Sequence, residues 1–380
     1  MYTAWPFFIL LIAVSSVLLV YRTASRQFPI LIRPWWHYRY TAVLMGIGSW
    51  MLIYQDEWRW PLALMVWDYA LFLLNRRRVL PLWLCVVLTL VPLVGAKTDL
   101  LPFIAMIGLS FTTFRAIDAL VMSDMRDPSD PGEYFLYLFF PPAILAGPMY
   151  RWHTFREDMA GAFERLTIPT VVEGWEHLLL GIVQKFAVAQ LIDVCVMQRL
   201  DPEDYTLRGI VSNAVGYSVF LYFDFAGYSN MAIGAAGLFG FRLPANFNNP
   251  IATRNPQDFW KRWHVSLSEW LRDVVFSPLY KFLVTKGGLA ERKLEAQNVC
   301  ILATLMVMGT WNGLEPKYIA SGALFGSYSV IYNEICHAKR NNPAIKLLFE
   351  RRSVREAGRI LTLVLEVLAL YVFSGRSPIP

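Results

Sequence analysis

The chain has 380 residues, 56% of them hydrophobic and 17% charged, with a mean hydropathy of +0.40. A soluble domain carries about 25% charged residues and a bilayer-spanning helix needs roughly 20 mostly apolar ones, so this composition excludes an ordinary soluble fold, a disordered chain, a coiled coil and a nucleic-acid-binding domain, and supplies on the order of ten spans. Lys plus Arg number 35 against 29 Asp plus Glu; in a membrane protein that excess marks cytoplasmic loops and leaves room for an acidic partner or anionic lipid there.

In chain order, the first apolar run ends at Tyr21, and the first basic residue, Arg22, follows it. A secretory signal has the opposite order, so the run predicts a retained first span with the N-terminus outside. The next loop, Tyr21 to Tyr40, holds Arg22, Arg26, Arg33 and Arg39 and no acid, which places it inside. Further spans are predicted at Thr41 to Tyr54, Trp60 to Leu74 and Val79 to Gly95, with Arg76-Arg77-Arg78 on an inner loop. Leu100 to Met122 is apolar but contains Arg115 and Asp118. Tyr134 to Tyr150 is broken by Pro141-Pro142 and Gly147-Pro148. Such breaks survive in lipid only where protein or a water-filled cavity satisfies the freed backbone groups, so a re-entrant or kinked segment is predicted there.

Trp175 to Met197 reads as a span carrying Glu176, His177, Lys185 and Asp193. Between Arg208 and Arg242 the sole charge is Asp224, and the stretch fits one long helix or two short ones. Ala232, Ala236 and Gly240, spaced by four, predict close helix approach. Spans follow at Val299 to Thr310, Tyr318 to Ile335 and Ile360 to Phe373. A basic loop with Lys339, Arg340, Lys346, Arg351, Arg352, Arg355 and Arg359 precedes the last and puts the C-terminus outside. The sum is an all-α integral membrane protein, polytopic, with about 11 membrane segments. Cys85, Cys195, Cys300 and Cys336 form no CxxC pair and read as small apolar residues.

The least membrane-like stretch of the second half, Arg254 to Asp273, reads as one well-started helix. Asn255 can cap it, Pro256 suits its first position and Asp258 its first turn. Trp260, His264, Leu267 and Leu271 then share a face, with Lys261, Arg262, Glu269 and Arg272 elsewhere. Pattern alone leaves two readings open, an interfacial amphipathic helix with a packed histidine or a functional histidine. Asp224 is an intramembrane acid, expensive unless paired, and is either functional or a structural ion pair with Arg115 or Lys185. His37 and His337 fit solvated loops, and His153 and His177 structural roles. The five histidines show no HExxH-like spacing, so no metal site is expected. Ser110, Ser266 and Ser268 lack a GxSxG turn and read as hydroxyl donors to neighbours.

Four ordered motifs carry a resemblance. Asp258-Phe-Trp-Lys-Arg-Trp-His-Val-Ser-Leu-Ser-Glu-Trp-Leu-Arg-Asp273 resembles the signature of the membrane-bound O-acyltransferase family. Leu138-Phe-Phe-Pro-Pro-Ala-Ile-Leu-Ala-Gly-Pro148 and Tyr222-Phe-Asp-Phe-Ala-Gly-Tyr-Ser229 resemble two more of its segments, and Met308-Gly-Thr-Trp-Asn-Gly313 stands where the family has Trp-His-Gly. The chain resembles the teichoic-acid D-alanyl branch more than the alginate O-acetylation branch. Its Arg272 to Phe282 lacks the latter's Pro-Leu-Gly-Gly-Asn-Arg run, and Gly313 to Ile319 fits the former better.

The resemblance implies a multi-helix fold around a central tunnel in a bacterial cytoplasmic membrane. It divides the single domain into N-terminal spans (1–95), a catalytic core (100–336) and a basic loop with the last span (337–380). It implies no bound cofactor. The donor is an acyl group, D-alanyl for this branch, on the phosphopantetheine thioester of a small acidic carrier protein, arriving from the cytoplasm. A hydroxyl-bearing envelope polymer is the acceptor outside, and other membrane proteins of the same pathway are partners. His264 is assigned as the base and Asn312 as the holder of the tetrahedral oxygen, with Trp260, Trp263, Trp311, Asp224 and Ser268 along the tunnel. Arg254 to Lys286 holds six basic residues against three acids; within it Lys261, Arg262, Arg272, Lys281 and Lys286 suit carrier docking.

Asn312 departs from the family's histidine. A carboxamide accepts no proton, and general-base help is worth typically ~10²–10⁴ in rate. Three readings stay open: Asn312 as oxyanion donor beside His264 as base (such donors are worth ~10²–10³), a natural variant of weak or altered activity, or a substitution that traps a state. Rival functions are an exopolysaccharide O-acetyltransferase, a transporter or channel built on Asp224, Arg115 and Lys185, and a non-catalytic scaffold for the carrier.

Overall fold

The computed structural model describes residues 5–27, 42, 46–48, 50, 53–54, 58–123, 130–144 and 147–378. Their regular secondary structure is helical, with no strand among the described residues and one isolated bridge, Phe247 to Trp263. The expected span Thr41 to Tyr54 falls largely outside them, as do Arg33, His37 and Arg39. The chain divides into two compact units, Met1–Ile182 with Gly227–Pro244, and Val183–Ala226 with Ala245–Pro380.

The first unit contains α1 (Trp5–Gln27), α2 (Arg59–Arg76), α3 (Leu82–Lys97), α4 (Leu109–Met122), α5 (Pro131–Leu138), α6 (Trp152–Arg165) and α7 (Ile168–Ile182). Helices α2 and α3 form where the next two spans are expected. The predicted break also appears: α5 stops at Leu138, a 3-10 turn covers Pro141–Ala143, and the chain reaches Tyr150 without further helix. The Arg115 guanidinium, fully buried on α4, satisfies the freed carbonyls. It donates to Leu138 O at 3.0 Å and Ala143 O at 2.6 Å, with a longer contact of 3.4 Å to Tyr137 O. One turn on, buried Asp118 accepts from Arg151 Nε (2.7 Å), the Trp152 amide (2.6 Å) and the Tyr137 hydroxyl (3.0 Å). Arg115 and Asp118 are therefore structural, and Arg115 is not the partner of Asp224.

Buried Asp158 accepts from the Tyr150 hydroxyl (2.6 Å), the Arg242 amide (2.8 Å) and Arg165 (2.8 Å). Around these groups an aromatic core forms, including Trp152, Phe155 and Phe241, with the Phe155 and Phe241 rings stacked at 5.9 Å. Of the predicted residues, Gly240 packs against the Ala162 carbonyl of α6, while the close approach to α7 is made by Gly234, outside the predicted spacing. A Cβ added at Gly234 would lie 2.5 Å from the Gly174 carbonyl oxygen, nearer than any real contact. His177 Nδ1 lies 3.1 Å from Asn230 Oδ1 in the same unit, in keeping with a structural role.

Residues 207–237 form one helix, α9 (Leu207–Gly237), so the stretch between Arg208 and Arg242 is not two short ones. Helix α7 continues through a π-helical stretch, Val183–Ala189, into α8 (Gln190–Cys195). The run Ile168–Arg199, 32 residues long, is the one helical run among the described residues that passes both the length and apolarity tests for crossing a membrane.

The second unit also contains α10 (Pro256–Phe259), α11 (Val265–Leu271), a π-helical stretch Arg272–Phe276, α12 (Ser277–Thr285), α13 (Lys293–Thr310), α14 (Pro316–Asn341), α15 (Pro343–Glu350) and α16 (Arg352–Phe373). The expected basic loop before the last span is a correction. It is the end of α14, all of α15 and the start of α16. Charge sign reports the side of a membrane rather than secondary structure, and Lys339 and Arg340 suit a last helical turn because they face its partial negative charge. Asn342 then caps α15, accepting from the Ala344 amide at 2.9 Å. Val66, Trp83, Leu179, Val211 and Ile360 are exposed, as side chains facing lipid are.

Candidate active site

The site grows from the helix start that the sequence announces. Asn255 Oδ1 accepts from the Asp258 amide at 2.9 Å and Pro256 occupies the first turn. Burial favours the neutral Asp258 carboxyl, but hydrogen bonds from Arg262 and Arg254 outweigh it and hold the group below the usual range. The expected single helix to Asp273 does not form. Helix α10 ends at Phe259, and helix resumes only at Val265.

The break has a source upstream. The Asn248 amide donates to Arg262 O (2.9 Å) and the Val265 amide to Asn246 O (3.0 Å), so the 246–248 strand-like segment claims groups a continuous helix would use. The Ser266 hydroxyl bonds Asn246 Oδ1 at 2.5 Å, and both residues are buried. His264 absorbs the mismatch with left-handed backbone angles, φ 47° and ψ 48°. For a non-glycine residue this costs of order 1–3 kcal/mol, and such strain gathers at functional sites.

The His264 side chain is 8% exposed and its ring sits edge-on to Phe225, centroids 4.6 Å apart. Its Nδ1 is buried with no hydrogen-bond partner among the described residues. Trp263 stacks on Phe259 at 5.6 Å and meets Phe247 edge-on at 5.1 Å. Trp260 stands edge-on to Phe325 at 4.9 Å. The break thus removes Trp260 from the face it was expected to share with His264, while Leu267 and Leu271 stay buried below the histidine.

A cavity of about 440 Å³ opens beside this segment. Trp260, Ser268 and Arg272 line it, joined by Gln297, Asn333 and Arg340. Apolar walls, carboxamides and two guanidiniums suit an elongated polar chain ending in a phosphate. Neither His264 nor Asn312 lines the cavity, but Ser268 is one helical turn from His264, its amide bonded to His264 O at 3.0 Å.

The remaining predicted residues separate. Asn312 is exposed at the C-terminal end of α13, its Nδ2 donating to Met308 O at 3.2 Å, and no hydrogen bond joins it to His264. Trp311 beside it is half-buried. Asp224 forms an ion pair with Lys185, which selects one of its two expected partners and leaves it a compensated charge rather than a bare tunnel acid. Lys261, Arg272, Lys281 and Lys286 are exposed, whereas Arg262 is half-buried and held by Asp258 and Asn248 O. The sequence reading missed Phe225, which lies inside a motif of which only Asp224 was singled out. It also missed Asn246, and Gln297, Asn333 and Arg340, whose polar side chains on helices carry no local signal.

Comparison with known proteins adds the following. A family model described as MBOAT, membrane-bound O-acyltransferase family, matches residues 65–342. The teichoic acid D-alanyltransferase of Streptococcus thermophilus is 31% identical over 313 residues, covering 78% of this chain and 73% of that protein. That of Bacillus subtilis is 28% identical over 278 residues, covering 72% and 69%. The probable alginate O-acetylase AlgI of Pseudomonas fluorescens is 29% identical over 278 residues, covering 71% of this chain and 51% of that protein.

Proposed function

The chain belongs to the membrane-bound O-acyltransferase family and is an acyltransferase, and from that membership we propose that it transfers an acyl group to a hydroxyl of a cell-envelope polymer, with D-alanyl to a teichoic acid as the pairing. The names of two similar proteins, each matched over more than two thirds of both chains, support that pairing. The proposal includes a fold of about 11 membrane segments with the N-terminus outside. The donor in this reading is the phosphopantetheine thioester of a small acidic carrier protein. The exposed Lys261, Arg272, Lys281 and Lys286 give it a basic landing surface, and the amide-lined cavity gives its arm a path.

The observation that carries the mechanism is His264, buried, strained and with an open ring nitrogen inside the matched region. Its imidazole takes the proton of the acceptor hydroxyl as that oxygen attacks the thioester carbonyl. Asn312 turns from Met308 O to donate to the oxygen of the tetrahedral intermediate. That intermediate collapses with cleavage of the C–S bond, and the imidazolium returns its proton to the departing thiolate. The products are an ester and a free thiol.

The test is transfer of labelled D-alanine from loaded carrier to acceptor in proteoliposomes. His264→Ala is expected to lose ~10²–10⁴ in rate; full activity in that variant refutes the base assignment. A large gain in Asn312→His marks the chain as an impaired form. The likeness to an alginate O-acetylase supports a second reading, O-acetyl transfer to an exopolysaccharide, which the same assay with an acetyl donor addresses.

A further inference from the structure

A second cavity, of about 520 Å³, lies in the second unit among α14, α15, α16 and the segment that starts α10. Its residues sort by chemistry. Lys339 lies in the last turn of α14, Arg355 and Arg359 in the first turns of α16, and Arg254 ahead of α10. The short α15 links α14 to α16, so these cations gather at the linked end. Tyr328, Ile331, Leu361 and Leu365 line the cavity farther from that link.

The cationic end is incompletely neutralised. Arg254 reaches Asp258 at 3.4 Å, and Arg359 pairs with Glu356 at 3.0 Å. Lys339 and Arg355 have no carboxylate partner among the described residues, and the Lys339 ammonium lies instead over the Phe349 ring, 5.2 Å from its centroid. The apolar end opens outward, since Ile331 is 58% and Leu361 57% exposed. On α15, Leu347 and Leu348 are exposed beside Lys346, the pattern of a helix lying in a membrane interface.

We propose that this groove is a binding site for an anionic phospholipid. The headgroup phosphate sits between Lys339 and Arg355, and one acyl chain lies along Ile331 and Leu361. Charge complementarity favours an anionic over a zwitterionic headgroup, and the open hydrocarbon wall favours a lipid over a soluble phosphate. The inside rule places this basic end on the cytoplasmic side, where anionic lipids face it. The proposal is independent of which acyl group is transferred, because it uses neither His264 nor the cavity beside it.

The experiment is native mass spectrometry of the full chain in detergent with added phosphatidylglycerol, phosphatidylcholine or glycerol phosphate. Phosphatidylglycerol is expected to be retained one-to-one and phosphatidylcholine to wash out. Lys339→Gln with Arg355→Gln is expected to weaken retention about tenfold or more, and Leu361→Asn to weaken it without that loss of charge. Arg208→Gln with Lys293→Gln removes equal charge elsewhere and is expected to leave retention unchanged. Equal loss in that pair refutes the site in favour of general electrostatics. Competition by glycerol phosphate as strong as by the lipid, or one-for-one displacement by an acidic carrier protein, refutes a lipid as the occupant. Circular dichroism checks each variant, and a variant that unfolds is replaced by Lys339→Arg with Arg355→Lys, expected to restore retention at constant charge.

Discussion

Replacing Arg115 by Met tests whether the broken segment after α5 stands on one side chain. Methionine keeps length and fits an apolar site but donates nothing. Two short hydrogen bonds disappear, to Leu138 O at 3.0 Å and Ala143 O at 2.6 Å, and both carbonyls belong to buried residues. Leaving a buried acceptor unsatisfied costs about 1–3 kcal/mol, so two cost about 2–6 kcal/mol. Relief from burying a cation offsets part of this, because desolvating an ion carries a penalty of several kcal/mol that carbonyl contacts only partly return. The net expectation is a loss of about 1–4 kcal/mol. Heat inactivation and amide exchange in detergent give the readout: faster inactivation, with protection lost first at residues 138–144. Arg115→Lys, which can keep one of the two bonds, is expected to fall between. Unchanged exchange at 138–144 in Arg115→Met refutes the cradle.

Three further outcomes follow from geometry. His264→Gly is expected to slow transfer as much as His264→Ala does, yet to be at least as stable as His264→Ala, since glycine accepts φ 47° without the strain of about 1 kcal/mol or more; thermal denaturation of the two compares them directly. Gly234→Val places a Cβ where only 2.5 Å separates it from the Gly174 carbonyl, so folded yield on size-exclusion chromatography is expected to collapse, with Gly234→Ala already impaired. In the Lys185–Asp224 pair, Lys185→Met alone is expected to destabilise more than Lys185→Met with Asp224→Asn, because a lone partly buried charge is worse than none; a double-mutant cycle on unfolding midpoints measures the coupling.

Much of this was legible in the sequence because it depends on local chemistry. Pro141-Pro142 announces a helix break, Asn255-Pro256 a helix start, and long apolar runs the helices around them. The break at His264 was not legible. The three-and-four spacing of Trp260, His264 and Leu267 describes a continuous helix, while the groups that prevent it, on Asn246 and Asn248, lie many residues upstream and act only once folded. The same holds for the cavity. Trp260, Ser268 and Arg272 were readable from one motif, but Gln297, Asn333 and Arg340 join them from two other helices. Asn312 was placed in the site by its motif, and the structure leaves it facing its own helix.

The π-helical stretch Arg272–Phe276 bears on the tolerance of the chain to insertion and deletion. A wide turn holds one residue more than an α-turn, so deleting that residue closes it to an α-turn with the downstream faces nearly in register, whereas the same deletion in regular α11 rotates everything downstream by about 100°. Arg272 and Phe276 line one wall of the cavity from within this turn. Codon deletion at Val274 is therefore expected to leave Phe276 near the wall, whereas deletion at Glu269, which lines nothing, is expected to swing both Arg272 and Phe276 out of it. Scored by transfer activity, a deletion scan is expected to find regular α11 intolerant, and Val274 in the wide turn and the exposed Gly287–Gly288 turn more permissive, so that in α11 the spacing of the residues is under as much constraint as their identity.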